Sequence, residues 1–305
     1  MKENLPLKAL RIGTRKSPLA QAQTSLVIDA LKHSNCFKTC DINIVTFTTT
    51  GDKISNKPLY TEGGKGLFVK ELEAALLSNE IDMAVHSLKD METTLPPGLS
   101  LAAFLPRGDV EDVLLSTQGF SLDELPIACT VGTVSPRRKA QLLHHRLDLN
   151  VVPLRGNVGT RIAKLNNGEV DAIVLARAGL TRLGLMGPKA TVLPTSLMLP
   201  AAGQGIIALQ CRQSDEPLLL ALQQLSDTPT TLCAMAERSM LQHLGGSCQT
   251  PIAAHATVKQ NNLITLKGML AFEDSHTPAY AFEEGVDPNV VGKSLAEKLQ
   301  QMMKK

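Results

Sequence analysis

One short pattern occurs twice in this chain: Ile12–Pro18 reads IGTRKSP, and Val131–Arg138 reads VGTVSPRR. In both copies an apolar run leads into a Gly-Thr pair and then into Ser-Pro. Serine is a favoured N-cap residue, and proline is favoured at the first helical position, where its missing N–H costs nothing. Each copy therefore predicts a strand, a turn and the start of a helix, and helical periodicity continues over Gln21–Leu31 and Lys139–Leu143.

A second pattern follows each copy in the same order: Glu80–Val85 reads EIDMAV, and Glu169–Val174 reads EVDAIV. We interpret these as buried strands that close two βαβ units, so two α/β lobes of related design are expected to face each other. Ligands of open α/β sheets bind beyond the carboxyl ends of the strands, where helix N-termini favour anions. The arginines near these ends predict a cleft that binds a polyanion.

The rest of the chain connects these lobes and extends beyond them. Thr48–Gly66 is polar and punctuated by glycine, which is typical of a mobile loop and, beside a cleft, of a lid. The apolar run Ile206–Cys211 is expected to return the chain to the first lobe. The remainder predicts a small α+β domain made of a helix, three strands and a final helix: Thr231–Leu244, Ala253–Lys259, Leu263–Phe272, Ala279–Glu284 and Pro288–Met303.

The composition favours a soluble protein that acts on small molecules. Of 305 residues, 43% are apolar, the net charge is +2 and aromatic residues amount to 3%. Proteins that bind nucleic acid or membrane surfaces usually have a one-sided basic excess, so we expect neither partner. The N-terminus lacks the apolar core of a secretory signal, and no run of about 18 apolar residues predicts a membrane span.

The six cysteines are scattered, and the one close pair, Cys36 and Cys40, is not completed by a second pair or a histidine cluster. This spacing predicts no metal site and favours free thiols in a reducing compartment. Cys248 lies among small residues in Gly245–Ile252. A buried structural thiol is the usual case, whereas a loop thiol beside a basic cleft would have a lowered pKa and could form a covalent bond.

Arginines are concentrated where strands end or helices begin in the predicted second lobe. Arginine binds carboxylate or phosphate through two parallel hydrogen bonds and stays charged, although single arginines mostly form surface salt bridges. Gly63–Gly66 lacks the spacing and the Ser or Thr of a P-loop, and no dinucleotide fingerprint is present. The anion is therefore expected to be a polycarboxylate. The arginines concerned are Arg137, Arg138, Arg155, Arg161 and Arg182.

Asp90 ends the segment His86–Asp90, which follows the predicted buried strand of the first lobe. An acid at this place could cap a helix or form a loop salt bridge. Its carboxylate could instead stabilise a cationic intermediate or move a proton. The residues alone leave both interpretations open, and no serine in a nucleophile elbow predicts a nucleophilic triad.

These motifs together resemble the porphobilinogen deaminase (hydroxymethylbilane synthase) family over nearly the whole chain. The resemblance implies an α/β fold of two periplasmic-binding-protein-like lobes flanking a cleft, plus a small C-terminal α+β domain. The implied domains are residues 1–105 with 201–225, residues 106–200, and residues 226–305. The matching stretches are Gly13–Ala20, Gly63–Glu71, His86–Asp90, Gly132–Arg138, Arg155–Arg161, Pro200–Gly205 and the loop around Cys248.

The resemblance also implies a chemistry. Members of the family carry a dipyrromethane cofactor, which would be joined here by a thioether to Cys248 and is made from the substrate. Four porphobilinogen molecules are added head to tail with loss of ammonia, and water releases hydroxymethylbilane for tetrapyrrole and heme biosynthesis. Each pyrrole carries acetate and propionate, which suits a site rich in arginine. We expect a cytoplasmic monomer whose partner is the small-molecule substrate, with no nucleic acid and no membrane.

Residue roles follow from matching positions in the family's motifs. Asp90 is expected to be catalytic, because its carboxylate would hold pyrrole N–H groups and balance the positive charge that loss of ammonia leaves. The other residues expected to hold the cofactor are Ser87, Lys89, Thr133, Ser135, Arg137, Arg138 and Gln204. Those expected to bind the substrate and the growing chain are Arg15, Ser17, Lys65, Phe68, Arg155, Arg161 and Arg182.

The sequence departs from the family's usual pattern at a few places. Ala20–Gln23 lacks a large residue that is frequent there, Pro136 replaces a leucine, Met91-Glu92 replaces Val-Pro, and Ser247 stands where Gly or another small residue is common. None of these changes removes a proposed chemical group, but Met91-Glu92 alters the surroundings of Asp90. The alternative function is that of a non-catalytic bilobal solute-binding protein, which would carry no covalent pyrrole.

Overall fold

The computed structural model describes residues 9–53, 66–246, 250–272 and 277–304. The strands are β1 (Ala9–Arg15), β2 (Asp41–Phe47), β3 (Met83–Ser87), β4 (Leu99–Phe104), β5 (Asp112–Ser116), β6 (Thr130–Gly132), β7 (Asn150–Val152), β8 (Ala172–Ala176), β9 (Ala190–Leu193), β10 (Ile207–Arg212), β11 (Ile252–Val258), β12 (Ile264–Leu270) and β13 (Ala279–Gly285). The helices are α1 (Pro18–His33), α2 (Thr50–Lys53), α3 (Lys70–Leu77), α4 (Pro136–His145), α5 (Val158–Asn166), α6 (Arg177–Arg182), α7 (Glu216–Gln223), α8 (Thr228–His243) and α9 (Pro288–Met302). Within these described ranges, no helix is both long enough and apolar enough to cross a membrane.

The chain divides into two compact units: Met1–Arg107 with Ile206–Thr231, and Gly108–Gly205 with Leu232–Lys305. In the first unit the strand order is β2-β1-β3-β10-β4. Strand β1 is parallel to both β2 and β3, whereas β10 is antiparallel to β3 and β4. The apolar run after Gly205 therefore joins the first sheet, as the sequence predicts.

The sheet of the first unit is covered on both faces, and the alternation of side chains along β3 explains how. Met83 and Val85 belong to an apolar cluster that includes residues of α1 and α7. Ala84, between them, belongs to a second cluster with Leu72 and Leu76 of α3. Successive strand residues point to opposite faces, so a strand buried on both faces must be apolar throughout, as this one is.

The first sheet of the second unit repeats this plan, with the order β7-β6-β8-β5-β9. Strand β6 is parallel to β7 and β8, and β5 is antiparallel to β8 and β9. The repeated Glu-x-Asp motif also has a common role. Asp82 accepts a hydrogen bond from the backbone N–H of Arg11 (2.8 Å), and Asp171 accepts one from that of Thr130 (2.8 Å). The predicted relationship between the two βαβ units is confirmed.

The second unit also contains the antiparallel sheet β11-β12-β13. Its apolar face packs on α8 and α9, with Met240, Leu266 and Leu295 fully buried between them. The three predicted strands and the final helix are confirmed. Helix α8 begins at Thr228, three residues before the predicted start at Thr231, because Asp227 caps it by accepting a hydrogen bond from the backbone N–H of Thr230.

The prediction of a loop over residues 48–66 is wrong at its beginning, where α2 forms one helical turn. The turn is held to the chain that follows, because the backbone N–H of Gly51 donates to the Leu67 carbonyl (2.8 Å) and that of Thr50 donates to Glu71 (2.7 Å). These partners lie 16 and 21 residues further along the chain, so local sequence gives no sign of them. Residues 54–65 lie outside the described residues.

Candidate active site

A small, open pocket lies in the first unit. Strands β1 and β3 are parallel neighbours, so their carboxyl ends meet at one edge of the sheet, and α1 begins there. Ser17 caps this helix by accepting a hydrogen bond from the backbone N–H of Ala20, as predicted. The lining residues are Arg15, Ser17, Leu19, Ala20, Gln23, Phe68, Val69, Val85, His86, Ser87 and Asp90.

Arg15 is held in this pocket by three groups. Its guanidinium forms a two-point ion pair with Asp52, in which Nε lies 3.3 Å from Oδ2. Its Nη1 lies 3.6 Å from Oδ2 of Asp90, and its guanidinium carbon lies 4.4 Å from the centre of the Phe68 ring. The two acids and the aromatic ring together fix the orientation of the Arg15 guanidinium, although it is not fully buried.

Asp52 is a residue that the sequence analysis missed as part of the site. Burial disfavours its charge, but hydrogen bonds from Arg15 and from the Thr49 hydroxyl (2.7 Å) outweigh this effect and lower its pKa. The only indication in the sequence was an acidic residue beside a glycine, in Gly51-Asp52-Lys53 of the polar Thr48–Gly66 stretch. Nothing in that motif, however, indicated that it would meet Arg15.

Asp90 lies at the end of a 3₁₀ turn, Leu88–Asp90, that directly follows β3. Its side chain is 32% exposed, so the carboxylate is accessible to a ligand in the pocket. Ser87 and Lys89 come from the same strand end and turn. The Ser87 hydroxyl is paired with the buried amide of Gln23, whose Nε2 donates to it (2.8 Å). The pocket therefore brings together most of the predicted first-lobe residues that the structure describes, whereas Lys89 is not among the residues that line it.

A chain of polar side chains, mostly buried, extends from His86 at the wall of the pocket, and the sequence did not predict it. Nε2 of His86 lies 2.9 Å from Oε1 of Gln210, and Nε2 of Gln210 donates to Glu73 (3.2 Å). Burial lowers the pKa of His86 to about 4, with the Gln210 contact opposing the shift and the charge of Arg15 adding to it. Burial raises the pKa of Glu73, although the bond from Gln210 opposes this. His86 is therefore neutral at pH 7.

In the second unit, three of the predicted cofactor residues converge on one acid, Asp112 of β5. Its Oδ2 lies 2.8 Å from Nη2 of Arg137, and its Oδ1 lies 2.7 Å from Nη2 of Arg138. Nε2 of Gln204 donates to the same Oδ1 (3.0 Å). We call these four residues the Asp112 cluster. Asp112 is 0% exposed, and the arginines are 4% and 7% exposed, so these are buried ion pairs rather than the surface bridges weighed above.

Backbone carbonyls hold the Asp112 cluster as well. Nη1 of Arg137 donates to Leu199 (2.7 Å), and Nη1 of Arg138 donates to Val174 (2.9 Å). Ser135 caps α4 by accepting from the backbone N–H of Arg138, and the Thr133 hydroxyl accepts from that of Ser135 (3.2 Å). Each guanidinium is therefore fixed by the strand or loop beneath the first turn of α4.

The other three predicted arginines differ in their surroundings. Arg182 is tied to the backbone, because its Nη2 donates to the Gly205 carbonyl (2.7 Å). Burial lowers its pKa, and the charge of Asp109 opposes that shift. Arg161 lies half-buried on α5. Arg155 follows β7, also half-buried, and forms an ion pair with no residue in the part of the chain that the structure describes.

Two predicted site residues, Lys65 and Cys248, lie outside the described residues. Among the described ranges there is no group of three or more His, Cys, Asp or Glu side chains that could hold a metal ion. The arrangement that remains is a pocket with a cation between two acids, and a buried cluster that carries two guanidinium groups against one carboxylate. The pocket offers carboxylate oxygens that can accept from N–H groups, whereas the cluster, with two guanidinium groups against one carboxylate, suits a ligand that bears carboxylates.

Comparisons with known proteins agree with this chemistry. A family model described as porphobilinogen deaminase, dipyromethane cofactor binding domain, matches residues 10–219. A second model, described as the porphobilinogen deaminase C-terminal domain, matches residues 231–301.

Individual relatives carry the same name. A porphobilinogen deaminase of Brevibacillus brevis is 47% identical over 289 residues, which cover 95% of this chain and 93% of the relative. One of Bacillus pumilus is 43% identical over 294 residues, which cover 96% of this chain and 94% of the relative. Among solved structures, the Bordetella pertussis BvgS VFT2 domain matches with a TM-score of 0.44 and 19% identity over 74% of this chain and 90% of that domain.

Proposed function

The chain belongs to the porphobilinogen deaminase family, and we propose that the pocket of its first unit and the Asp112 cluster of its second unit carry out the family's reaction. The activity is that of a hydroxymethylbilane synthase. This transferase joins four porphobilinogen molecules head to tail with loss of ammonia and releases hydroxymethylbilane with water.

The Asp112 cluster fits the dipyrromethane cofactor of this family. Two guanidinium groups face one carboxylate, so the cluster keeps a net positive charge, and the buried Nε of Arg138 donates to no described residue. A ligand bearing acetate and propionate groups would supply the missing negative charge and acceptor. Arg137, Arg138, Gln204, Thr133 and Ser135 would hold it. When bound, the dipyrromethane supplies the pyrrole carbon to which the first porphobilinogen is joined.

Asp90 is the catalytic residue in this proposal, supported by its place in the pocket. Its accessible carboxylate would accept hydrogen bonds from pyrrole N–H groups. It would also stabilise the positive charge that develops as porphobilinogen loses ammonia, and a preorganised charge of this kind is often the largest contribution to catalysis. Ser87 and Lys89, from the same strand end, would orient the bound rings beside it.

The basic residues would bind the carboxylates of the incoming substrate and of the growing product. Arg15 and Ser17, which line the pocket, would do this there, and Phe68 would border the bound substrate. Arg155, which has no acidic partner among the described residues, is free to take up a substrate carboxylate. Arg161 and Arg182 are proposed for the growing chain, with Arg182 fixed by its bond to the Gly205 carbonyl.

Further parts of the proposal rest on sequence alone. They are attachment of the cofactor to Cys248, contact of Lys65 with substrate, three domains as given above, and a monomer without nucleic acid. A cytoplasmic location is proposed from the scattered cysteines, which suit a reducing compartment.

The observation that carries the proposal is the pocket in which Arg15 stands between Asp52 and Asp90. The test of the function is the intact mass of the purified protein after incubation with porphobilinogen. We expect an added mass of pyrrole units in the wild type and none in Cys248→Ala. As matched controls, Cys36→Ala, Cys129→Ala and Cys233→Ala should keep the adduct. A wild type that binds porphobilinogen without added mass would instead be a solute-binding protein.

A further inference from the structure

We propose that Asp112 is a positioning residue for the cofactor: it aligns the guanidinium groups of Arg137 and Arg138 and the amide of Gln204, without itself touching the ligand. This inference rests on the proposed function, because it assumes that the three donors hold the dipyrromethane. It concerns a residue that none of the sequence motifs pointed to.

The first support is geometric. Consecutive residues of a helix point about 100° apart, and side chains at i and i+1 do not face each other. Arg137 and Arg138 are consecutive, yet Nη2 of each lies within 2.8 Å of a different oxygen of Asp112. The guanidinium groups of these two neighbours on α4 therefore converge because each lies against one oxygen of the same carboxylate. Gln204 comes from a distant loop and reaches the same acid.

The second support is the rigidity of the platform. Asp112 begins β5, which lies between β8 and β9, and is paired there with Ala176 on one side and Leu193 on the other. Gln204 is bound in addition to the Val110 carbonyl (2.7 Å). Because Asp112 is fully buried on an inner strand, it is placed to fix the two guanidinium groups, which keep 4% and 7% exposure, rather than to meet a ligand itself. Gln204, also 0% exposed, is held with it.

The third support is the charge. A buried ion pair that only stabilised the fold would be expected to balance, because an uncompensated buried charge is costly. Two guanidinium groups share one carboxylate here, and the Nε of Arg138 is buried without an acceptor among the described residues. The cluster therefore keeps one positive charge and one donor for a further anion, which a purely structural role does not require.

The experiment is a double-mutant cycle that separates positioning from folding. Asp112→Glu keeps the buried charge and moves it by one methylene, and it is combined with Cys248→Ala, which removes the adduct. Protein made by cell-free synthesis without porphobilinogen is incubated with it, and intact mass and melting temperature are followed in all four proteins. The matched control is Asp82→Glu, since Asp82 also joins two arginines, Arg11 and Arg212, outside the pocket.

Positioning predicts that Asp112→Glu acquires its adduct more slowly by about tenfold or more, since small misplacements of binding groups have effects of this size. The adduct should also raise its melting temperature less than it raises that of the wild type. Asp82→Glu should show the same loss of melting temperature with and without the adduct. The inference would be overturned if Asp112→Glu acquired its adduct at the wild-type rate and if the effects of the two substitutions on the melting temperature were additive.

If Asp112→Glu does not fold, Asp112→Asn is put through the same cycle. A change in the adduct's effect on melting temperature, in either direction, then supports positioning, and strict additivity overturns it. The failure of the proposed function has a different signature, because the wild type itself would then gain no mass.

Discussion

At the scale of the residue, the surroundings of Asp90 decide what its carboxylate can do. Arg15 lies between Asp52 and Asp90, with the closer contacts on Asp52. Asp52 is therefore the closer partner of the guanidinium, and the carboxylate of Asp90, 32% exposed, remains accessible to a ligand.

The proposed role of Asp90 predicts that charge and position both matter. Asp90→Asn keeps the shape but loses the charge, so turnover of porphobilinogen should fall by about 10²–10³. Asp90→Glu keeps the charge and misplaces it by one methylene, so a small residual activity is expected. Turnover is measured together with a thermal melt, with Asp29→Asn as a control on the exposed face of α1. Near-wild-type turnover in Asp90→Asn would exclude the electrostatic role.

His86 provides a prediction about pH. Its pKa of about 4 in the folded state lies below the value of about 6.5 expected in the unfolded chain. Between these values the unfolded chain binds the proton and the folded protein does not. The free energy of unfolding should therefore decrease as the pH falls from about 6.5 to about 4, by up to ~3 kcal/mol.

The measurement is urea unfolding at several pH values for the wild type and for His86→Gln, which does not titrate. Glu73, whose pKa is raised by burial, and the other carboxyl groups titrate in both proteins and cancel in the difference. The wild type should lose more stability than the variant on acidification. Parallel profiles would mean that His86 is protonated in the folded protein.

Residue contacts were predictable from the sequence where they are local. The caps at Ser17 and Ser135 bind backbone groups three residues on, so a Ser-Pro motif was enough to identify them. Asp52 and Gln210 lie 37 and 124 residues from their partners Arg15 and His86. Contacts at such distances depend on which strands become neighbours, and hydrophobic periodicity does not contain that information.

At the scale of the element, the repeated pattern predicted the strands and helices of both βαβ units. It did not predict that each sheet would receive an antiparallel strand next to β3 or β8. Gly205 lies shortly before β10 and Gly108 shortly before β5, and the backbone N–H of Gly108 donates to the Gly205 carbonyl (3.1 Å).

This close approach predicts that a side chain at Gly205 destabilises the fold. Its φ is +87°, and a Cβ atom there would lie 2.6 Å from the Gly108 carbonyl oxygen and 2.9 Å from that of Asp109. Left-handed backbone costs an L-residue about 1–2 kcal/mol, and overpacking against rigid backbone adds about 1–3 kcal/mol. Gly205→Ala should therefore lower the free energy of unfolding by about 2–5 kcal/mol.

Gly168→Ala is the matched control, because Gly168 has a φ of +75° and nothing within 4 Å of the added atom. It should show only the backbone cost, about 1–2 kcal/mol. Urea unfolding of both variants measures the difference. Equal losses would mean that the two chain segments move apart readily.

At the scale of the whole molecule, positive and negative side chains are nearly equal in number. The chain has 31 Lys and Arg against 29 Asp and Glu, so attraction of an anionic substrate depends on where cations lack acidic partners. Most described arginines are paired, as Arg137 and Arg138 are with Asp112. Arg155 is different, since the described residues give it no acidic partner.

We therefore expect Arg155→Leu to slow the later additions of porphobilinogen more than the first, because the product's negative charge grows with each pyrrole. Lys164→Leu removes the same charge from the same unit, but Lys164 lies 3.9 Å from its acidic partner Glu169, so its loss should have little effect. Intact mass of the protein after brief incubation shows how many pyrroles have been added.

The role of charge can be separated from that of shape by varying the salt concentration. Exposed charges are screened over about 8 Å at physiological ionic strength and over about 3 Å at 1 M salt. High salt should therefore shift the wild type towards the short products of Arg155→Leu while changing that variant little. If salt slows both proteins equally, Arg155 acts through packing or through another cation, and its proposed contact with a substrate carboxylate would be wrong.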